Sequence, residues 1–259
     1  VRELKARGYH VTLYPFLFMD IPPGNGRPDP YGGAEQAAFP WRGRIRPSGA
    51  VASDVDAFFN GAQGYDAFIL HYVMLAAETG ADGLLIGSEM VALTRARAAD
   101  GGYPAVERLR ALAGQARALL GPAVEVSYAA DWTEYGAHVV GGELTFPLDL
   151  LWSDPAISYV GLDWYPPMSD WRDGASHADA AWGSPHNPAY LAANIEGGEG
   201  YDWYYASPEG RRDQQRLPIA DGAFGEPWVF RQKDIRNWWG HAHHPRAGAS
   251  RAPNPTGWT

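Results

Sequence analysis

The 259-residue sequence contains no cysteine. That excludes a disulfide framework, a thiolate zinc centre, an iron–sulfur cluster and a cysteine nucleophile. It also lacks any apolar run approaching the roughly 18–20 residues of a membrane-spanning helix, and it starts without Met inside an apparent helix, Val1 to Arg7, with no signal-peptide pattern. Positive charge is scarce: 21 Lys and Arg against 30 Asp and Glu leave a net charge of −9. With no basic stripe to override it, that field repels phosphate backbones and argues against a nucleic-acid partner. Internal repeats and low-complexity tracts are missing as well. What is abundant is glycine and proline, 31 and 21 residues, in a chain that is still 46% hydrophobic. This combination describes a globular domain with long, turn-rich loops, and the length suits one α/β barrel.

Four segments read as strands. Tyr9 to Met19 is an apolar, aromatic and β-branched run, and Gly83 to Gly87 is a short apolar run closing on Ser88 and Glu89. Val124 to Ala129 and Ile157 to Trp164 follow, closing on Asp131 and on Tyr165, Pro166 and Pro167. Between them lie helical patterns. Ser53 caps a short helix through Phe59, a second spans Tyr65 to Thr79, and a third runs from Pro104 to Leu120 with Gly121 as its stop. Strands that are apolar on both faces and alternate with helices predict a parallel sheet. Residues 20–49 hold six prolines and six glycines and form a long loop. Past Pro167 the pattern weakens, leaving helical pieces near Ala189 to Asn194 and Gln232 to Trp239 and a weak strand candidate at Trp228 to Gln232.

In parallel α/β folds the working side chains sit at the carboxyl ends of strands, which selects Asp20, Glu89, Asp131 and Asp163. Glu89 directly follows a buried strand, and a carboxyl beside apolar walls has its pKa raised, as a general acid needs near neutral pH. An alternative reading has Ser88 capping a helix from Met90, with Glu89 merely complementing its dipole. Asp131 beside Trp132 could bind a sugar hydroxyl while the indole stacks on the sugar face, or could simply cap a loop. Tyr165 could present its hydroxyl to a catalytic carboxylate, or serve as a rim aromatic. Ten of the 11 tryptophans lie from Trp132 onward, and loops rich in Trp and Tyr with interspersed acids suit a carbohydrate cleft. His241, His243 and His244 lack placed carboxylates, so they read as a solvated loop and no metal site is assigned. The glycines of GEGYD and GGAEQ lack the strand-to-helix context of a phosphate loop.

The segments YPFLFMDIP, GLLIGSEM, YAADWTEYG, SYVGLDWYPPMSDWRDG, NIEGGEGYDWYY and GEPWVFRQKDIRNWW resemble, over nearly the whole chain, the TIM-barrel-like domain of the baseplate hub protein of gene transfer agents and related phage tails. That domain in turn is similar to retaining glycoside hydrolases. The resemblance implies a single (β/α)8 TIM-barrel-like domain over residues 1–259, incomplete and truncated at both ends, covering about strands three to six. It maps Glu89 onto the acid/base and Tyr165 onto the aromatic beside the nucleophile, with the nucleophile itself expected beyond Thr259. Ser88 stands where the hydrolases commonly have Asn. Glu226 is an internal substitute for the missing carboxylate. Asp20, Asp131, Trp132, Asp163, Tyr165, Trp171, Glu226 and Trp228 are the expected substrate contacts. The implied partners are a cell-surface or cell-wall glycan and neighbouring baseplate subunits, in a phage-tail-like particle made in a bacterial cytoplasm, and no cofactor is called for. The competing expectation is a carbohydrate-binding or structural baseplate module without catalysis.

Overall fold

The computed structural model describes residues 1–29, 33–36, 38–39, 41–174 and 176–258. They pack as two compact units, residues 1–134 with 147–163, and residues 135–146 with 164 onward. The first unit is built on a parallel sheet of four strands, in the order β1 (Thr12–Leu13), β2 (Gly83–Ser88), β3 (Glu125–Asp131) and Gly161–Asp163. Every residue of β2 is buried, as are the last six of β3. These are the apolar-on-both-faces strands that a covered parallel sheet requires.

Helices α1 (Arg2–Ala6), α2 (Val51–Asn60), α3 (Tyr65–Thr79), α4 (Val91–Thr94) and α5 (Pro104–Leu120) also belong to this unit. The two long ones have the predicted bounds because their punctuation is strong. Gly80 stops α3 in the left-handed region at φ 68°, where its N–H reaches the Ala76 carbonyl. Pro104 starts α5, whose Val106, Leu109, Leu112, Ala113 and Ala116 are buried at helical spacing. The start of α2 differs from the prediction. Ser53 lies inside the first turn, donating to the Ala50 carbonyl, while the Asp54 carboxylate accepts the Ser48 and Gly49 N–H groups at 2.8 and 3.2 Å. A carboxylate there satisfies backbone donors ahead of the helix and also suits the dipole.

Three strand predictions are corrected, and of Ile157 to Trp164 only the half-buried Gly161–Asp163 pairs in the sheet. Of Tyr9 to Met19 only Thr12–Leu13 joins the sheet, and after Pro15 this run makes an isolated bridge between Phe18 and Trp41. Proline has no N–H for a ladder, and it ends the pairing. Phe16 and Phe18 are consequently exposed, Phe18 by 64%. Trp228 to Gln232 is not a strand, since Pro227–Phe230 forms a 3-10 turn.

The second unit is held mainly by aromatic stacking and ion pairs. Its ladders are two or three residues long, pairing His138–Val140 with Glu143–Thr145, Glu143–Thr145 with Arg246–Ala247, Arg246–Ala247 with Ser250–Arg251, and Trp203–Tyr204 with Leu217–Pro218. The solvated-loop reading of the histidine tract fails at His243, while His241 is exposed. The His243 ring is buried, stacked 4.4 Å from Phe146 and 5.6 Å from Trp258, with Nε2 at 2.7 Å from the Trp238 carbonyl. His241 and His244 each engage a backbone carbonyl.

Close approach within the parallel sheet makes one glycine costly to replace. A Cβ on Gly161 would stand 2.5 Å from the Tyr128 carbonyl oxygen and 3.3 Å from the Ala129 Cα. Both are backbone atoms of a neighbouring strand that cannot swing aside. Gly161→Ala is expected to cost about 1–3 kcal/mol by overpacking. Urea unfolding at an unchanged m-value would record it as a lower midpoint.

Candidate active site

Where β2 ends, the chain places Glu89 in the left-handed region at φ 50°, a conformation that costs a non-glycine residue roughly 1–2 kcal/mol. Two backbone bonds hold it there. The Glu89 N–H extends the parallel ladder to the Ala129 carbonyl at 2.9 Å, and the next N–H, of Met90, donates to the Tyr128 hydroxyl at 2.8 Å. Ser88 caps no helix. The short α4 carries no side-chain cap, and the Ser88 hydroxyl instead accepts from Arg42 Nε at 2.7 Å. The reading of Glu89 as first-turn decoration is thereby replaced by one in which the backbone turns its side chain inward.

That side chain is 12% exposed. Its Oε2 accepts from the Trp41 indole N–H at 2.9 Å and pairs with Arg42 Nη2 at 2.8 Å. Arg42 is 5% exposed and lies over the Phe16 ring, 4.5 Å from its centroid. The same Nη2 stands 3.7 Å from Asp163 Oδ2, which also accepts the Tyr14 hydroxyl. One guanidinium nitrogen thus faces two carboxylates. Burial raises the Glu89 pKa, against the pull of Trp41 and Arg42, with Asp163 and Asp131 adding to the rise. Burial and the bond to Asp163 likewise push the Tyr14 phenol up.

Asp131 pairs in register with Asp163 on the neighbouring strand, and the Trp132 N–H donates to the Asp163 carbonyl at 3.1 Å. The Asp131 carboxylate is engaged locally, accepting the Thr133 N–H at 2.8 Å and the Thr133 hydroxyl. It therefore caps its own turn while contributing charge toward Glu89. Trp132 is half-buried and Asp20 exposed. The remaining predicted contacts lie in the second unit. Tyr165 is 76% exposed, and Trp171 meets His177 and Tyr190 edge-on. Trp228 is buried against Phe146, His241 and His243. Glu226 gives one oxygen to Arg246 at 2.6 Å and the other to Arg251 at 3.0 Å, so both of its oxygens are in use. It precedes a 3-10 turn and does not end a strand.

Sequence reasoning passed over Tyr14, Trp41, Arg42 and Glu134. The isolated early tryptophan beside an arginine, WRGR, was the available signal for two of them. Glu134 sits inside the noted ADWTEYG stretch and is buried within the first unit, where desolvation raises its pKa to about 7 against three hydrogen-bond donors and Arg95. Among the described residues no group of three or more His, Asp or Glu is placed to hold a metal ion.

No curated protein matches the chain. Residues 63–259 match the family model of the GTA TIM-barrel-like domain, and that stretch carries β2, β3, the Gly161–Asp163 strand and both carboxylates that face Arg42. The chain belongs to the TIM-barrel-like domain family of gene transfer agents.

Proposed function

We propose that this domain cleaves a glycosidic bond in a cell-surface or cell-wall glycan, as part of the tail baseplate of a phage-like particle, with Glu89 protonating the leaving oxygen. The four parallel strands then correspond to strands three to six of a barrel. The observation that carries the reading is the Glu89 carboxyl, largely buried at the carboxyl end of β2 with its pKa raised by desolvation. A carboxyl so placed holds its proton more tightly than a solvated one, as delivery to a departing alkoxide requires. Asp163 stands within reach of the same centre, held by Tyr14 and Arg42, and orients the sugar. In this reading the attacking carboxylate lies beyond Thr259. Phe18, 64% exposed on the same extended segment as Tyr14 and Phe16, offers a ring that suits the C–H face of a sugar. Trp132 completes the proposed contacts.

The test is glycan turnover by the complete protein, with Glu89→Gln expected to lower kcat at least about a hundredfold, the low end for losing a general acid. Equal turnover by parent and variant would end the proposal.

One observation favours a second reading. The 2.8 Å ion pair with Arg42 stabilises Glu89 as a carboxylate, which serves hydrogen bonding to sugar hydroxyls better than proton delivery. In that case the domain grips a receptor glycan without cutting it. The complete chain would then retain glycan with no turnover, and Glu89→Gln would weaken retention.

A further inference from the structure

Glu134 is 1% exposed, and nothing in the proposed chemistry uses it. Its Oε1 accepts the Thr94 hydroxyl at 2.5 Å and the Tyr128 hydroxyl at 2.9 Å, while Oε2 accepts the Asp131 N–H at 3.0 Å. The Tyr128 hydroxyl in turn accepts the Met90 N–H at 2.8 Å. Three segments therefore end on one carboxylate: α4 through Thr94, the middle of β3 through Tyr128, and the end of β3 through Asp131. The Tyr128 branch reaches the residue that directly follows Glu89. A buried carboxylate is expensive to desolvate, and an apolar side chain of similar volume would stabilise a core at least as well. What the carboxylate adds is direction, because each acceptor oxygen fixes the donor pointing at it.

We propose that Glu134 is a positioning residue. Through Tyr128 and the Met90 N–H it locks the left-handed turn that aims Glu89, and through the Asp131 N–H it locks the neighbouring turn, so that both present one orientation to substrate. The catalytic part of this inference rests on Glu89 acting as the acid.

Amide hydrogen exchange on the full chain tests the geometry without reference to activity. Tyr128→Phe removes the acceptor of the Met90 N–H and is expected to speed exchange at Met90 at least tenfold, with Leu109 and Leu112 in the middle of α5 unchanged. Glu134→Gln keeps an oxygen toward Thr94 and Tyr128 but turns an NH2 toward the Asp131 N–H. It should leave Met90 protected and speed Asp131 alone. Exchange at Met90 that does not change in Tyr128→Phe, or that rises only in step with the α5 amides, would overturn the proposal, because a merely structural role loosens the whole unit. Kinetics give the second readout. In Tyr128→Phe, kcat should fall about tenfold with KM within twofold, whereas a fall in neither would also overturn it. If the exchange pattern appears while the parent turns over no glycan, the locking role stands and the reading of Glu89 as an acid is what fails.

Discussion

Replacing Arg42 by alanine is expected to destabilise the first unit by about 3–5 kcal/mol, the cost of leaving a buried charge without its partner. The guanidinium is almost wholly buried, Glu89 nearly so, and solvent can do little to screen what remains. In the parent, Arg42 contacts Glu89 at 2.8 Å and Asp163 at 3.7 Å and donates Nε to the Ser88 carbonyl and hydroxyl at 2.8 and 2.7 Å. Without it, two carboxylates confront each other with Asp131 close behind, the Ser88 carbonyl loses its side-chain donor, and the Phe16 ring loses the cation on its face. Urea unfolding near pH 7 reads this directly, provided the m-value is unchanged. Because the loss is one of charge balance, Arg42→Ala combined with Glu89→Gln should recover part of it. An Arg42→Ala midpoint equal to the parent's would show that the ion pair contributes nothing. The same substitution also removes the cation that holds the Glu89 pKa down, so the alkaline limb of any glycan turnover should move to higher pH.

The position of Arg42 shows where sequence reading ends. Its partners Ser88 and Glu89 are 46 and 47 residues away, and it is delivered by a loop whose prolines and glycines say only that the segment is neither helix nor strand. No periodicity records where such a loop lands. The elements with their own punctuation were legible. Gly80 and Gly121 ended α3 and α5 where predicted, and the continuous apolar runs of β2 and β3 placed Glu89 and Asp131 at strand ends. Tyr9 to Met19 misled because aromatic and β-branched composition describes a surface suited to pairing without supplying a partner, and Pro15 lies in its middle. Tryptophan content was ambiguous for a similar reason. Trp228, Trp238 and Trp258 pack with His243 in a ring cluster, while Trp41, the one outside the Trp-rich half, donates to the candidate acid. Glu134 was visible as a letter, but only Thr94, 40 positions earlier, and the Tyr128 hydroxyl reveal that it is a buried acceptor.

The stability of the chain relative to Glu134→Gln should fall by about 3 kcal/mol between pH 4.5 and pH 7.5. Burial raises the Glu134 pKa from its ordinary 4.5 to about 7 in the folded protein, outweighing the bonds from Thr94, Asp131 and Tyr128 and the attraction of Arg95. A carboxyl whose pKa is higher folded than unfolded binds its proton more tightly in the native state. Its contribution is therefore complete below pH 4.5 and disappears as the pH climbs through 7, at roughly 1.4 kcal/mol for each pH unit that separates the folded and unfolded values. Glutamine cannot titrate, so the variant lacks this dependence while keeping the shape. Glu89 and Asp66, whose pKa values are also raised by burial, titrate in both proteins and largely cancel in the difference. Urea unfolding of the pair at four pH values across the window is sufficient. Curves that run parallel would mean that the carboxylate is already ionised at pH 5, its three donors having overcome desolvation. A widening gap in favour of glutamine toward pH 7.5 would mean that the protein keeps a costly charge at the one point where the turns carrying Glu89 and Asp131 are joined.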